Sequence, residues 1–278
     1  MKILSCGAGM QSTALALMAC ENKLKGMIHK DVPIYDAIIF ADLGAEPEWV
    51  YHQVNFIANA CKQADIHFAV LQKDLYNDYI HKFGEARVVA VPFWSIAEDG
   101  TKAKMQRHCT LDYKILVIQK YVKREMLHFK QYQHLRPEDL FAHEMHLGFS
   151  YEEKKRSFTS KNNMFVNRYP LAEMGWKRED TYKYVLETWG LETKASACIM
   201  CPFHRNYFFK HLKENYPDTD YKKLLELDQL LAEKQHKTTI RSQLFISRSR
   251  KRICELTDDD CNDAETFTYC DREIWNGF

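Results

Sequence analysis

Apolar positions recur along this chain with two periods, and the alternation between them outlines a fold. Residues 2–5 (Lys-Ile-Leu-Ser) form a short apolar strand, and residues 13–20 repeat apolar positions at helical spacing. A second strand is expected at 35–41, then a helix over 48–64 opened by Pro47, a residue favoured in the first turn. A third strand at 66–71 and a helix at 75–83 follow, and 141–149 reads as a fourth strand of the same sheet. Strands separated by helices point to an open parallel sheet with helices on both faces, an α/β, Rossmann-like class. Between them, 86–106 is irregular, with Pro92, Trp94 and Gly100, and a loop of that length usually serves as a lid or substrate loop. A helix over 111–127 comes next. Beyond it the pattern turns helical at 178–189 (closed by Gly190), 206–214 and 221–235. These periods predict an α/β domain over 1–160 and a helical region over 161–278 packed on it.

Composition narrows the class. The 278 residues allow one large domain, or one with an appendage, and need no disulfides to hold a core. A net charge of +1 gives no general signal for nucleic acid. One local exception gathers Arg241, Arg248, Arg250, Lys251 and Arg252, read either as a solvated face or as a phosphate-backbone contact. The sequence after Met1 shows no signal-peptide pattern, and no apolar run reaches membrane-spanning length. A cytoplasmic protein is expected, with nine cysteines that are mostly thiols.

Candidate chemistry begins at residues 6–13, Cys-Gly-Ala-Gly-Met-Gln-Ser-Thr. A strand that turns through Gly7, Ala8 and Gly9 into a helix N-terminus is suited to anions, because backbone N–H groups and the helix dipole converge there. Ser12 adds a hydroxyl. The loop lacks the lysine of a Walker A motif and the third glycine of a dinucleotide fingerprint, and an ordinary tight turn remains the alternative. The second strand ends in Asp42-Leu-Gly-Ala-Glu-Pro-Glu48. The carboxyl edge of a parallel sheet is where ligands sit, so Asp42 is a candidate Mg²⁺ ligand, whereas Glu48 reads as a first-turn helix residue. Gly148 and Ser150 stand at the end of strand four, with Glu153 and Arg156 at surface-pair spacing.

Cys198-Ile-Met-Cys201 is a Cys-x-x-Cys pair, and Cys109 lies upstream in Gln-Arg-His-Cys-Thr. Zinc, an iron–sulfur cluster and thiol exchange all suit such a set, with His108 or His204 as a fourth ligand for a metal. Cys6, Cys20 and Cys61 read as structural, and Cys254, Cys261 and Cys270 carry no assignment.

Five motifs in order resemble one family. Residues 7–12 are similar to the Ser-Gly-Gly-x-Asp/Gln-Ser loop, and 42–46 to Asp-Thr-Gly-x-Glu. Residues 107–110 with Lys114 are similar to Arg-x-Cys-Thr with a following lysine, and 148–156 to Gly-Ile-Ser-x-Asp-Glu-x-x-Arg. Tyr169-Pro170-Leu171 and 196–202 match Tyr-Pro-Leu and Ser-x-Cys-x-x-Cys-Pro. The chain thus resembles the phosphoadenosine-phosphosulfate reductase-like branch of the PP-loop ATP pyrophosphatases, of the adenine nucleotide alpha-hydrolase fold. Gly7, Ala8 and Leu43 depart from its pattern.

The resemblance implies ATP held by Ser5, Gly7, Ala8, Gly9, Gln11, Ser12, Phe40, Asp42, Gly44, Glu46, Gly148, Ser150 and Glu153, with Mg²⁺ near Asp42. It implies catalytic roles for Asp42, Cys109, Lys114 and Arg156. It implies an adenylated intermediate, with pyrophosphate released and AMP then displaced. The reductases' C-terminal Glu-Cys-Gly-Leu-His motif has no counterpart here, so sulfonucleotide reduction is the lesser alternative. Cluster-dependent nucleic-acid thiolation enzymes are more similar. They imply Cys109, Cys198 and Cys201 on a [4Fe–4S] cluster, with zinc as the alternative. The expected partners are ATP, a nucleic acid or nucleotide acceptor and a sulfur donor, with no membrane and a homodimer allowed. Two further alternatives are a PP-loop ligating or amidating enzyme with a structural metal, and a nucleotide-binding regulatory or defence protein without turnover.

Overall fold

The computed structural model describes residues 1–157 and 159–262, with Arg156 described through its backbone alone. Its strands are β1 (Lys2–Cys6), β2 (Ala37–Asp42), β3 (Phe68–Gln72), β4 (Trp94–Ile96), β5 (Lys102–Lys104), β6 (His143–Leu147), β7 (Phe165–Arg168) and β8 (Gln243–Phe245). Its α-helices are α1 (Met10–Lys25), α2 (Glu48–Gln63), α3 (Leu75–Lys82), α4 (Leu116–Tyr121), α5 (Pro170–Glu173), α6 (Arg178–Trp189), α7 (Asn206–Asn215) and α8 (Lys222–Lys234). Among the described residues no helix is long and apolar enough to cross a membrane.

The chain divides into two compact units, each assembled from separated stretches. The first holds Met1–Ala41, Trp49–Leu71 and Val117–Ser196; the second holds Asp42–Glu48, Gln72–Leu116 and the described residues from Ala197 onward. Residue 160, the division read from the sequence, falls inside the first unit. The reason is that β7 pairs with β6, and α6 packs on α1, so both belong with the N-terminal layers.

The first unit is built on a five-stranded parallel sheet of order β3-β2-β1-β6-β7, flanked by helices. This is the α/β open-sheet class expected from the alternation. β1 lies centrally, with Ile3 beside Ala37 on one side and Met145 on the other. A central parallel strand is buried on both faces, which is why Ile3 and Leu4 are both apolar and wholly enclosed. Ile3, Ile39, Ile118, Met145 and Phe165 meet in one core cluster. Helix α1 is enclosed along most of its length: residues 13–20 show no exposed surface. A helix apolar on every side belongs inside a core, and its many alanines let neighbouring elements approach.

Two details differ from the sequence pattern. The helix expected over 111–127 runs as a π-helical turn (Leu111–Ile115), α4, and a second π turn (Val122–Met126). Such turns frequently mark functional positions, and Lys114 sits on the first. In the second unit, the irregular stretch 86–106 contains a hairpin, β4 with β5, and β8 adds to β4 in an antiparallel sheet of order β5-β4-β8. The C-terminal region is therefore not wholly helical. Strands of three residues leave too short an alternation for a pattern to register.

Candidate functional site

In the first unit, the site residues converge where β1 hands over to α1. Ala8 adopts a left-handed backbone with φ of 53°, and Gly9 caps α1 with no side-chain hydrogen bond. The N–H groups of the first turn are thus not taken up by a cap side chain, the arrangement that suits an anion. A left-handed alanine is strained by about 1–2 kcal/mol, so something must hold it. Gln53 of α2 does so: its amide donates to the Ala8 carbonyl and to Lys194 O (3.2 Å), and its oxygen accepts from Lys194 N at 2.6 Å. Ser196 closes over Gly7 and Gly9. Gln53 was not legible as a site residue, because an isolated glutamine on a helix carries no periodic or motif signal.

Ser12, 7% exposed, donates its hydroxyl back to Gly9 O at 3.3 Å. Gln11 donates to Glu153 Oε2 at 3.0 Å, which ties the loop to the segment after β6. Glu153 also accepts from Ser150 N and Ser150 Oγ, both at 3.3 Å, and forms a buried ion pair with Arg178 at 2.8 Å. Glu153 is 7% exposed, not a surface residue, and it is held by Arg178. The Arg156 side chain lies outside the described residues, as does Cys270. Ser5 is half-buried within β1, and Phe40 is enclosed in β2. The nearby Cys6 thiol is pushed up to about 11 by burial, against hydrogen bonds at Ala8 and Ser12, and stays protonated.

Gly148 shows how tightly β6 and α1 meet. A Cβ there would fall 2.8 Å from Ser12 N and 3.0 Å from Ser12 Cα. Both atoms are backbone on a buried helix and cannot retreat cheaply. Gly148→Ala is expected to lose about 1–3 kcal/mol of stability, the range for overpacking a core. Urea unfolding checks this, and an unchanged midpoint would mean that α1 can shift to make room.

In the second unit, Asp42 to Glu46 form a tight turn. Gly44 N donates to Asp42 Oδ1 at 2.8 Å, and Gly44 has φ of 73°. Any side chain there would also meet the Asp74 carboxylate. Asp42 is 8% exposed and offers a hard oxygen donor, and one carboxylate with phosphate oxygens is a usual Mg²⁺ set. Glu46 is enclosed. Its Oε1 accepts from Lys114 Nζ at 2.9 Å, while its Oε2 is buried with no hydrogen-bond partner. For Lys114, burial opposes the charge, but Glu46 and then the Cys198 and Cys109 sulfurs outweigh it and hold the ammonium above its ordinary range.

Neither protein-family models nor curated proteins give a match to this chain. The chemistry therefore rests on the residues themselves.

Cys198 and Cys201 are in hydrogen-bond contact, with Cys109 near enough to interact electrostatically with both. Cys201 is lowered, chiefly by the Cys198 hydrogen bond, against burial, with help from Arg107, the Phe203 backbone and Lys114. The same bond, with burial, pushes Cys198 well up. Burial and the Cys201 charge also raise Cys109, against Arg107. None of the described cysteines is in a disulfide. The three sulfurs suit iron or zinc as donors, but they are not drawn into a closed set. Among the described residues no group of three or more His, Cys, Asp or Glu side chains could hold a metal ion. The two histidines weighed as a fourth ligand point elsewhere. His204 Nε2 meets Cys198 O at 2.9 Å with its ring stacked on Phe208, and His108 pairs with Gln106.

A separate cavity of about 400 Å³ in the first unit is lined by residues such as Lys2, Lys30, Glu144, His146 and Arg168. None of the site residues above contributes to it.

Proposed function

We propose that this chain is a PP-loop ATP pyrophosphatase that activates an acceptor by adenylation and then inserts sulfur, the acceptor being a nucleic acid or nucleotide. The observation that carries the reading is the uncapped N-terminus of α1, entered through a strained Gly-Ala-Gly turn that Gln53 and Ser196 hold in place. Preorganised N–H donors there would bind the phosphates and stabilise charge developing in the transition state.

The steps follow from that assignment. An acceptor oxygen attacks the α-phosphorus of ATP, the bond to the β-phosphate breaks, and pyrophosphate leaves. Asp42 would hold Mg²⁺, which offsets phosphate charge. A donor's sulfur then attacks the activated carbon, and AMP departs with the former acceptor oxygen. Cys109, Cys198 and Cys201 are the residues assigned to the sulfur. A [4Fe–4S] cluster or zinc would require these three sulfurs to draw together, since as placed no described group of three could hold a metal ion; a cluster, when bound, would supply a place for sulfide. Arg107 and Lys114 offset negative charge around the thiols.

ATP-dependent pyrophosphate release by the anaerobically purified chain tests the activation half. Asp42→Asn is expected to lower it at least a hundredfold while the protein stays folded, and equal rates in the two proteins would refute the Asp42 assignment. Iron, acid-labile sulfide and zinc measured on the same sample decide which group the cysteines hold. One other reading is a ligating enzyme of the same loop, and a product free of sulfur would support it.

A further inference from the structure

The second unit carries a surface that the activation chemistry does not use. Two stretches left apart in the sequence, the irregular 86–106 and the basic 241–252, come together as neighbouring strands of one sheet. Trp94 on β4 lies opposite Lys104 on β5 and Phe245 on β8, and Ile96 lies opposite Lys102 and Gln243. Residues directly opposite in antiparallel strands project to the same face. That face therefore presents Trp94, half-exposed, beside the buried Phe245 ring and edged by cations.

The cations are aimed at the rings. Lys104 Nζ stands 4.5 Å from the Phe203 ring centre and 5.7 Å from that of Trp94. Arg250 and Arg248 approach Trp94 at 5.1 and 6.0 Å, and Arg107 approaches Phe203 at 5.7 Å. Arg250 is held there at a cost. Its φ is 57°, a left-handed backbone, and its guanidinium donates to Ser95 O (3.3 Å) and Ala103 O (3.4 Å). The carboxylates nearest in sequence, Glu98 and Asp99, sit on the β4–β5 turn, where Asp99 accepts from Thr101 N. Exposed cation–π contacts contribute about 0.5–1 kcal/mol each, which does little to offset repulsion among gathered like charges. A polyanion would remove that repulsion.

That face also adjoins the thiols. Trp94 Nε1 donates to Pro202 O at 2.6 Å, the residue after Cys201, and Arg107 acts on Cys109 and Cys201 while it faces Phe203.

We infer that the β5-β4-β8 face, with Trp94, Lys104, Arg107, Arg248 and Arg250 and the buried Phe203 behind them, binds single-stranded nucleic acid. Cations track the phosphates, and Trp94 offers a ring on which a base stacks, as in other single-strand grooves. This deepens the reading above by giving the acceptor a docking place on the unit that holds the cysteines.

The test uses the full chain without ATP, so that it stands apart from pyrophosphate release. Binding of fluorescein-labelled single strands of about 20 nucleotides, as RNA and as DNA, is followed by anisotropy across salt concentrations. The double variant Lys104→Gln, Arg248→Gln changes exposed side chains only. It is expected to weaken binding about tenfold and to flatten the log–log salt dependence by about 1.4, two contacts at roughly 0.7 each. The oligonucleotide is also expected to quench tryptophan emission in the parent and much less in Trp94→Phe. Unchanged affinity and slope in the double variant would overturn the inference. So would a duplex binding as well as the single strand, or an acidic peptide competing as well as either. If strands bind as expected but ATP is never cleaved, the docking surface stands and the activation reading falls; the converse result separates them the other way.

Discussion

Lys114→Met is expected to cost this protein about 3 kcal/mol of stability at neutral pH. The substitution leaves Glu46, whose side chain has no exposed surface, without its cation, and its second oxygen already lacks a partner. Breaking a buried pair by removing one member costs about 3–5 kcal/mol, and the lower end applies because the Lys114 side chain keeps 30% of its surface exposed. The double variant Lys114→Met, Glu46→Gln removes the stranded charge and should recover most of the loss. Urea unfolding of the two variants beside the parent measures both numbers. A single variant that loses under 1 kcal/mol would mean that Glu46 does not depend on Lys114. Any loss of turnover in the single variant must then be judged against the double, because only the double separates a chemical role of the ammonium from its support of Glu46.

Cys109→Ala should abolish sulfur incorporation, by at least a hundredfold, while ATP-driven pyrophosphate release stays within a few-fold of the parent. The expectation follows from the proposal above, which gives phosphate activation to the loop residues of the first unit and sulfur transfer to the thiols of the second. Radiolabelled sulfur in the product and pyrophosphate in the supernatant, measured in one reaction, give the two readouts. Cys198→Ser and Cys201→Ser should behave alike. If pyrophosphate release falls in parallel with sulfur incorporation in all three, the thiols support the phosphate site and the assignment of separate roles is wrong.

The parallel sheet was legible because β1, β2 and β3 are mostly apolar runs between helical stretches, whereas β6, His-Glu-Met-His-Leu, carries only two apolar residues. β7 was missed: it reads Phe-Val-Asn-Arg, four residues with a single fully enclosed side chain, Phe165. The hairpin of β4 and β5 was hidden by strands of three residues within a stretch rich in loop formers. At the site, the Gly-Ala-Gly turn, the Asp42 turn and the Cys-x-x-Cys could be read because each is a local pattern. Arg178 and Gln53 could not be. Each acts through tertiary contact, Arg178 on Glu153 from 25 residues away and Gln53 on Ala8 from 45. That Ala8 stands between two glycines was visible in the sequence, but only the backbone angle shows that it is left-handed.

The interleaving of the two units has a consequence for biosynthesis. The chain passes between them at 41–42, 48–49, 71–72, 116–117 and 196–197. The sheet of the first unit lacks β6 and β7 until residue 168 has left the ribosome, and α6, which packs on α1, comes later still. Helix α1, apolar over residues 14–20, has β1 beside it early but waits through most of translation for α6. Domains generally fold as units when their chain is complete, and exposed apolar surface invites aggregation in the meantime. Nascent chains stalled before residue 189 should thus be the ones that engage chaperones, and neither unit can be produced alone by cutting the gene at a single point.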